Sequence, residues 1–318
     1  MNRDASDESV LSPLSLALLL VIVSIFVLLG SKFVPHILSY YESDNAFTGL
    51  REDAITDNGS AGTGLKPDAG DSESGVKTVN YAKDDNTINW DKFAGQEVVA
   101  WIVMDDISYP VMQGGDNSFY LKHLPDGSYN YGGSIFMFSQ NNPLLTDQNT
   151  IIYGHNMGNG SMFGKLKHYT DNKYKDHNFY VYLPDGTRHT YQFYSVATVY
   201  SDSMAYTWSF SGDESFAKWQ SWMRDQSFIG TSLKPSMDDR FVTLSTCNGT
   251  SGTNHRLIVC GMEISVDKVQ KEASWYKDYK EKYDAKQVSA KKRAASIFNG
   301  LEEYLFKARQ DQLASYSL

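Results

Sequence analysis

The chain has 318 residues, 41% of them hydrophobic, and is long enough to form one or two domains with a sizeable core. Its 38 acidic residues outnumber its 29 basic residues, which argues against nucleic acid as the main partner. The two cysteines, Cys247 and Cys260, exclude a disulfide framework and allow one bridge at most.

An apolar segment without a charged residue covers residues 14–30. It lies at the short end of a membrane span, and Lys32 could extend it to residue 38 by snorkelling. Because no small-residue cleavage site follows and no polar face interrupts it, the sequence favours an uncleaved transmembrane anchor over residues 14–38, after a short segment at 1–13. A cleaved signal peptide and a buried core helix are the alternatives. The flanking charges are nearly balanced, so they do not set the orientation of the anchor.

A flexible linker is predicted over residues 39–87, between the anchor and a globular domain. The stretch from 51 to 75 is dense in Gly, Ser, Asp and Ala and lacks an apolar period. Such a composition does not bury enough apolar surface to fold, so we expect a tether.

A mostly β domain is predicted over residues 88–265, with strands outnumbering helices. β-Branched and aromatic runs indicate the strands, and the Pro184-Asp185-Gly186 turn joins two of them into a hairpin. Apolar spacing predicts short helices at 117–124 and 162–169 and a longer helix at 213–228. The predicted strands cover residues 98–104, 107–112, 134–138, 150–153, 179–183, 188–200, 241–247 and 256–259. Short strands with brief helical insertions favour a closed or nearly closed β-barrel.

Residues 266–318 form a tail in which basic residues outnumber acidic ones, unlike the rest of the chain. Trp275, Tyr279 and Tyr283 recur at every fourth position, which predicts a charged helical tail of two amphipathic helices broken near Asn299-Gly300. The tail could pack on the domain or present a solvated face, which are the common outcomes, or it could bind a partner or lipid.

The run Thr243-Leu244-Ser245-Thr246-Cys247 places a thiol at the end of a predicted strand. A loop and the strand 256–259 follow, which predicts a hairpin with Cys247 opposite Arg256. A neighbouring arginine stabilises a thiolate, so Cys247 is a candidate nucleophile. In this hairpin Cys260 lies about 13 Å further along, beyond the ~7 Å between Cα atoms that a disulfide allows. Both thiols are therefore predicted to be free, and Cys260 to be a buried apolar filler.

Among the seven histidines, His155 is the candidate partner of the thiol. It follows the strand 150–153 and lies between Gly154 and Gly158, where the backbone can turn a side chain toward a cleft. The other histidines lie in polar, strand or membrane-edge contexts typical of solvated or structural side chains.

Ser245 and Thr246 could donate hydrogen bonds near the thiolate or to a substrate, or they could be ordinary strand residues. No spacing of His, Cys or carboxylate residues around His155 or Cys247 suits a metal ion. Neither a metal nor a cofactor is predicted.

Three short motifs resemble those of the sortases, and most of all the class B sortases: Tyr153-Gly154-His155-Asn156, Thr243-Leu244-Ser245-Thr246-Cys247 and Arg256-Leu257-Ile258-Val259. The resemblance covers roughly residues 88–265 and includes the long helical segment 201–240 before the cysteine strand. It implies a closed eight-stranded sortase-type β-barrel. It also implies a single-pass enzyme of the Gram-positive cell membrane, with residues 1–13 as a short cytoplasmic segment and the catalytic domain on the extracellular face.

The resemblance further implies a cysteine transpeptidase, a thiol enzyme of the hydrolase type, that cleaves a C-terminal sorting motif of surface proteins. Cys247 would be the nucleophile, His155 the acid and then the base, and Arg256 the group that holds the substrate carbonyl and the oxyanion. An amine of a peptidoglycan precursor or of a pilin subunit would resolve the thioester, for cell-wall anchoring or pilus assembly.

Two other functions are compatible with the motifs. A cysteine peptidase of another fold would also use the thiol, although papain-like enzymes place the cysteine before the histidine and the caspase-like Gln-Ala-Cys context is absent. A catalytically silent, membrane-tethered binding module would leave the Cys247 thiol unreactive.

Overall fold

The structure is a computed structural model that describes residues 13–57, 86–247, 254–290, 292, 293, 296 and 301. The description of Cys247 is limited to its backbone. Among these residues, α1 (Pro13–Ala54), α2 (Asp213–Asp225) and a tail helix over residues 276–290 are α-helical. Short 3₁₀ segments cover Trp90–Phe93, Phe119–Leu121, Gly164–Thr170, Asn172–Tyr174 and Met204–Tyr206.

The strands of the described residues are β1 Ile55–Asp57, β2 Asn86–Ile88, β3 Val98–Met104, β4 Ile107–Met112, β5 Ile135–Met137, β6 Asn149–Tyr153, β7 Asn178–Tyr182, β8 Thr187–Tyr200, β9 Phe241–Cys247 and β10 His255–Lys268. Eight of them close into a barrel, in the spatial order β10-β8-β7-β3-β4-β5-β6-β9. A separate pair, β1 and β2, lies outside it. The predicted closed eight-stranded barrel is therefore confirmed.

Two neighbouring pairs in the barrel are parallel, β4 with β5 and β6 with β9, and the others are antiparallel. Parallel strands end at the same edge of a sheet. The ends of β6 and β9 therefore lie together, and this edge carries the candidate site.

Apolar side chains fill the barrel interior and also pack α2 against the outside of the barrel. Ile152, Phe179 and Leu244 belong to the interior cluster and are fully buried. On the outside, Trp219 of α2 packs edge-on against Phe241 of β9, with ring centroids 5.0 Å apart. Burial of such side chains, worth about 1.5–3 kcal/mol each, fixes the strands that carry the site.

The apolar segment predicted to be a transmembrane anchor forms the first part of α1. Across the described ranges, no helix combines the length and the hydropathy needed to cross a membrane. The anchor over residues 14–38 stays a prediction, and the cytoplasmic segment at 1–13 lies outside the described residues except for Pro13.

Part of the predicted flexible linker, residues 39–87, is helical instead. α1 continues to Ala54, and Ser39, Ser43, Phe47 and Ala54 form a buried stripe at helical spacing. The linker prediction is therefore wrong for residues 39–57. It rested on the content of Gly, Ser and Asp, whereas two of the serines, Ser39 and Ser43, are small enough to be buried on the packed face of a helix. Residues 58–85 lie outside the described part of the chain.

The predicted helical insertions differ in type and the domain boundary differs slightly. The helices expected at 117–124 and 162–169 are shorter 3₁₀ segments, and β10 runs to Lys268, past the predicted boundary at residue 265. The break predicted near Asn299-Gly300 and the helix after it lie outside the described residues, apart from residue 301.

The start of the tail packs on the beginning of the domain. The Gln270 side chain bonds both the N–H and the carbonyl of Ile88 at 2.8 Å, and Trp275 Nε1 donates to the carbonyl of Trp90 at 2.9 Å. Tyr276 is buried in the same apolar cluster as Ile88 and Trp90. Packing on the domain, one of the outcomes considered for the tail, therefore holds for this part of it.

Candidate active site

The strand register brings His155, Cys247 and Arg256 to one edge of the barrel. In the parallel pair, Tyr153 of β6 lies opposite Ser245 of β9, and His155 and Cys247 each follow two residues later. In the antiparallel pair, Cys247 of β9 and Arg256 of β10 are Cα partners. The predicted pairing of Cys247 with Arg256 is therefore confirmed at the level of the backbone.

A cleft of about 270 Å³ opens at this edge. His155, Ser245, Thr246 and Arg256 all line it, together with Tyr153. Four of the five residues predicted for the site therefore share one cavity. The fifth, Cys247, follows Thr246 directly on the same strand.

His155 is held through both its ring and its backbone. Its Nε2 lies 2.8 Å from the carbonyl oxygen of Leu121, and because a carbonyl oxygen only accepts, Nε2 carries the proton of this bond. In the neutral ring, Nδ1 is then the nitrogen that can accept a proton. The N–H of Phe163 donates to the His155 carbonyl at 3.0 Å. The orientation of the ring is therefore set by the protein itself.

Gly154, which precedes the histidine, is required by close packing. A Cβ at this position would lie 2.7 Å from the ring of Phe163, which is shorter than any real contact of this kind. The sequence pointed to backbone turning as the role of this glycine. The structure instead shows that the missing side chain lets Phe163 approach and bond the histidine.

Arg256 is half-buried in the cleft beside Tyr153. Burial raises the pKa of Tyr153, the neighbouring Tyr206 raises it further, and the positive charge of Arg256 offsets part of this rise. The guanidinium therefore acts electrostatically inside the cleft. A fixed positive charge at this place stabilises a thiolate or an oxyanion.

Ser245 and Thr246 differ in what their hydroxyl groups do. Ser245 Oγ lies 2.7 Å from the hydroxyl oxygen of Tyr206, so it is already engaged. Thr246 Oγ1 is buried and has no hydrogen-bond partner within the described ranges. Of the two, Thr246 is therefore the one with a hydroxyl to offer a bound substrate.

Two contributors to the site, Tyr206 and Leu121, are not indicated by any sequence pattern. The ring of Tyr206 stacks on that of Tyr153, with centroids 6.2 Å apart and planes 7° from parallel. Nothing in the sequence separates this tyrosine from the other 20 of the chain, which has 21. Leu121 acts through its carbonyl, and a backbone group leaves no side-chain signal.

Cys260 takes no part in the site. It is a free and fully buried thiol, its Cα partner on β9 is Thr243, and burial raises its pKa to about 12. Its prediction as a buried filler is confirmed. In the part of the chain that the structure describes, no group of three or more His, Cys, Asp or Glu side chains is placed to hold a metal ion.

The sortase domain family matches residues 103–264 of the chain. Sortase B of Listeria monocytogenes serovar 1/2a is 33% identical over 156 residues, which is 48% of this chain and 63% of that protein. Sortase B of Staphylococcus aureus NCTC 8325 is 30% identical over 176 residues, which is 54% of this chain and 72% of that protein. The chain thus spans a little under two thirds of the Listeria relative.

Solved structures agree with these relatives. Sortase B from B. anthracis, solved in complex with AAEK1, has a TM-score of 0.55 and 25% identity, covering 72% of this chain and 99% of that one. A sortase B–substrate complex from Staphylococcus aureus has a TM-score of 0.50 and 28% identity, covering 53% and 80%. The chain belongs to the sortase family, in its class B.

Proposed function

We propose that this chain is a cysteine transpeptidase that cleaves a sorting motif and transfers the acyl group to an amine. One observation carries the proposal: the register of β6, β9 and β10 brings a histidine, a cysteine and an arginine to one edge of the barrel, where the histidine and the arginine line a cleft. Membership of the sortases supports it, because the resemblance to that family implies this chemistry for these three residues.

In the first half of the reaction, the Cys247 thiolate attacks the carbonyl carbon of the scissile peptide. Arg256 stabilises the resulting oxyanion by charge-assisted hydrogen bonds. The C–N bond then breaks as protonated His155 gives its Nδ1 proton to the leaving amine. The products are a thioester on Cys247, a released amine and a neutral imidazole.

In the second half, an incoming amine attacks the thioester. Neutral His155 accepts the proton of this amine at Nδ1, the C–S bond breaks, and Cys247 leaves as a thiolate. The contact between Nε2 and the Leu121 carbonyl persists through both halves, because only Nδ1 changes its protonation. The ring therefore works as acid and base without turning.

The proposed substrates are surface proteins that carry a sorting motif, with an amine of a peptidoglycan precursor or a pilin subunit as acceptor. The Staphylococcus aureus sortase B that resembles this chain was solved with a substrate bound. The Thr246 hydroxyl, which has no hydrogen-bond partner among the described residues, lies in the cleft and supports binding of a polar peptide group at the same place here.

We further propose a single-pass anchor over residues 14–38, with the catalytic domain on the extracellular face of the cell membrane. The uncharged segment 14–30 supports it, as do its exposed apolar side chains: Leu14 is 83% exposed and Leu28 64%. Alkaline extraction of membranes from cells that express the full chain should leave the chain in the membrane fraction. Protease added to intact cells should cut the catalytic domain, because the domain lies outside the membrane. Recovery in the soluble fraction would contradict the anchor.

Product analysis tests the proposed reaction. The full chain is incubated with a library of short sorting peptides and an excess of amine, and products are identified by mass spectrometry. We expect amine-linked acyl products, lost in His155→Ala and Arg256→Ala while the far-UV circular dichroism is kept. Near-normal transfer in either variant would contradict the catalytic role proposed for the substituted residue.

The same assay distinguishes the rival functions. Cleavage without transfer, even with abundant amine, would indicate a peptidase, although the closed barrel and the family match leave a peptidase of another fold without support. A Cys247 thiol that does not react with alkylating reagents would indicate a catalytically silent binding module. We expect alkylation of Cys247 while the fully buried Cys260 stays unmodified.

A further inference from the structure

Helix α1 is pinned to the loop that precedes β5. Asn130 Nδ2 donates to the Ser39 carbonyl at 3.1 Å, and the Tyr131 N–H donates to Ser39 Oγ at 2.8 Å. Ser39 and Asn130 are both buried. Breaking either bond would leave a polar group without a partner and away from water, so the attachment is specific.

Two consecutive glycines separate α1 from the carbonyl that holds the catalytic histidine. A Cβ on Gly132 would lie 2.7 Å from Ser43 Oγ of α1, and a Cβ on Gly133 would lie 2.5 Å from the Leu121 carbonyl oxygen. Gly133 also has a φ of 55°, in the left-handed region. The loop is therefore packed on α1 by one glycine and on the Leu121 carbonyl by the next.

The carbonyls on either side of Leu121 are bonded within the same loop. The Tyr120 carbonyl accepts from the Ser134 N–H, and the Lys122 carbonyl accepts from the Asn130 N–H, both at 2.9 Å. The direction of the Leu121 carbonyl is thus fixed by its neighbours and by Gly133. This is the carbonyl that accepts from the histidine ring.

A second route connects α1 to the backbone of the histidine turn. Phe47 of α1 packs edge-on against Tyr109, with ring centroids 5.3 Å apart. The Tyr109 hydroxyl accepts from the Met162 N–H at 3.1 Å, and the next residue, Phe163, bonds the carbonyl of His155. Both the ring and the backbone of His155 are therefore braced from α1.

We propose that the buried half of α1, residues 39–54, positions His155 for catalysis, with Asn130 and Gly133 as the positioning residues that connect them. The inference rests on the proposed function, since it concerns the same histidine. It gives the chain N-terminal to the barrel a role in the reaction, beyond that of a tether.

Two variants interrupt the connection at different places. Asn130→Asp keeps the oxygen that accepts from the Gly132 N–H at 2.8 Å but replaces the donor to Ser39 with a second acceptor. Gly133→Ala pushes on the Leu121 carbonyl directly. Gly127→Ala is its matched control, because Gly127 also has a positive φ of 83° yet nothing lies within 4 Å of its Cβ position.

The full-length variants are compared in steady-state peptide transfer, which gives kcat and KM, in single-turnover thioester formation and in ¹⁵N NMR of the histidine side chains. The His155 signal is assigned by its absence in His155→Gln. We expect Asn130→Asp and Gly133→Ala to lower kcat by roughly 10- to 100-fold, as a displaced catalytic group does, with little change in KM. We also expect both to shift or broaden the His155 Nε2–H signal, whereas Gly127→Ala leaves rate and signal near wild type.

The inference is overturned if both variants keep the wild-type kcat and the wild-type imidazole signal. Should Asn130→Asp unfold, Ser39→Ala removes only the acceptor of the Tyr131 N–H and takes its place. Failure of the proposed function is a separate outcome, in which the wild type forms no thioester or His155→Gln still does. In that case the imidazole signal still decides whether α1 positions the ring.

Discussion

At the scale of single residues, Thr246 holds a hydroxyl group that the described part of the protein does not use. A buried hydroxyl without a partner destabilises the fold unless another molecule satisfies it. Ser245, one residue earlier, has its hydroxyl bonded to Tyr206 and carries no such penalty. The Ser245 hydroxyl therefore stabilises the fold, whereas the Thr246 hydroxyl is open to a bound substrate. Substitution of Thr246 tests this difference.

Thr246→Val removes the hydroxyl and keeps the shape of the side chain. We expect thermal stability to stay equal or to rise slightly, because the variant buries no unsatisfied group. We expect kcat/KM for the sorting peptide to fall by roughly 10-fold, the equivalent of one lost hydrogen bond of about 1.4 kcal/mol. Thr246→Ser should restore activity, and a fully active Thr246→Val would show that the substrate does not use this hydroxyl.

The candidate site was partly predictable from residues alone. His155, Cys247 and Arg256 stand beside recognisable strands, and period-two geometry suffices to place Cys247 opposite Arg256. Tyr206 and the Leu121 carbonyl were not predictable, because their positions depend on a 3₁₀ segment and on a tight loop packed on α1. Such contacts are set by tertiary packing.

At the scale of elements, strands with continuous apolar runs were the easiest to predict. The bounds expected for β3 and β4 match the structure, because both strands are buried along their whole length and meet at Asp105-Asp106. The buried part of α1 was missed, since Ser39 and Ser43 are polar by type and buried only through the glycine loop that covers them.

The tail helix offers a prediction at this scale. Tyr276 is buried in the cluster that also contains Ile88 and Trp90, so Tyr276→Ala should lower the free energy of unfolding by about 3 kcal/mol. The cleft lies elsewhere, so kcat/KM of the folded variant should stay within about twofold of wild type. Tyr283→Ala, a tyrosine two turns along the same helix, is the control for a general effect on helicity. An unchanged melting temperature in Tyr276→Ala would contradict the packing of the tail on the domain.

At the scale of the whole molecule, the ionisation of one carboxylate, that of Asp105, makes the free energy of unfolding depend on pH in the acid range. Asp105 accepts from His177 at 2.9 Å and from Tyr169 at 2.6 Å, and these bonds hold its pKa below the ordinary value of 3.8 although burial opposes them. A depressed pKa in the folded state means that ionised Asp105 stabilises the fold above its unfolded pKa. This contribution is lost as the pH falls through the folded pKa.

Asp105→Asn isolates this effect, because Asn keeps the shape and tolerates the left-handed φ of 44° at this position. We expect the wild type to unfold at a higher urea concentration than the variant at about pH 5. The gap should shrink as the pH is lowered below the ordinary aspartate value of 3.8 and Asp105 becomes protonated. A gap that is constant across this range would show that the ionised form contributes nothing.

The central claim is that the barrel register makes Cys247 the nucleophile of a class B sortase. Intact-mass and peptide mass spectrometry of the full chain, quenched in acid within the first turnover on a cleavable sorting peptide, tests it most directly. We predict one acyl group per chain, on the peptide that contains Cys247 and not on the one that contains Cys260, and none in Cys247→Ala. An acyl group that persists in Cys247→Ala, or that lies on Cys260, would contradict the account.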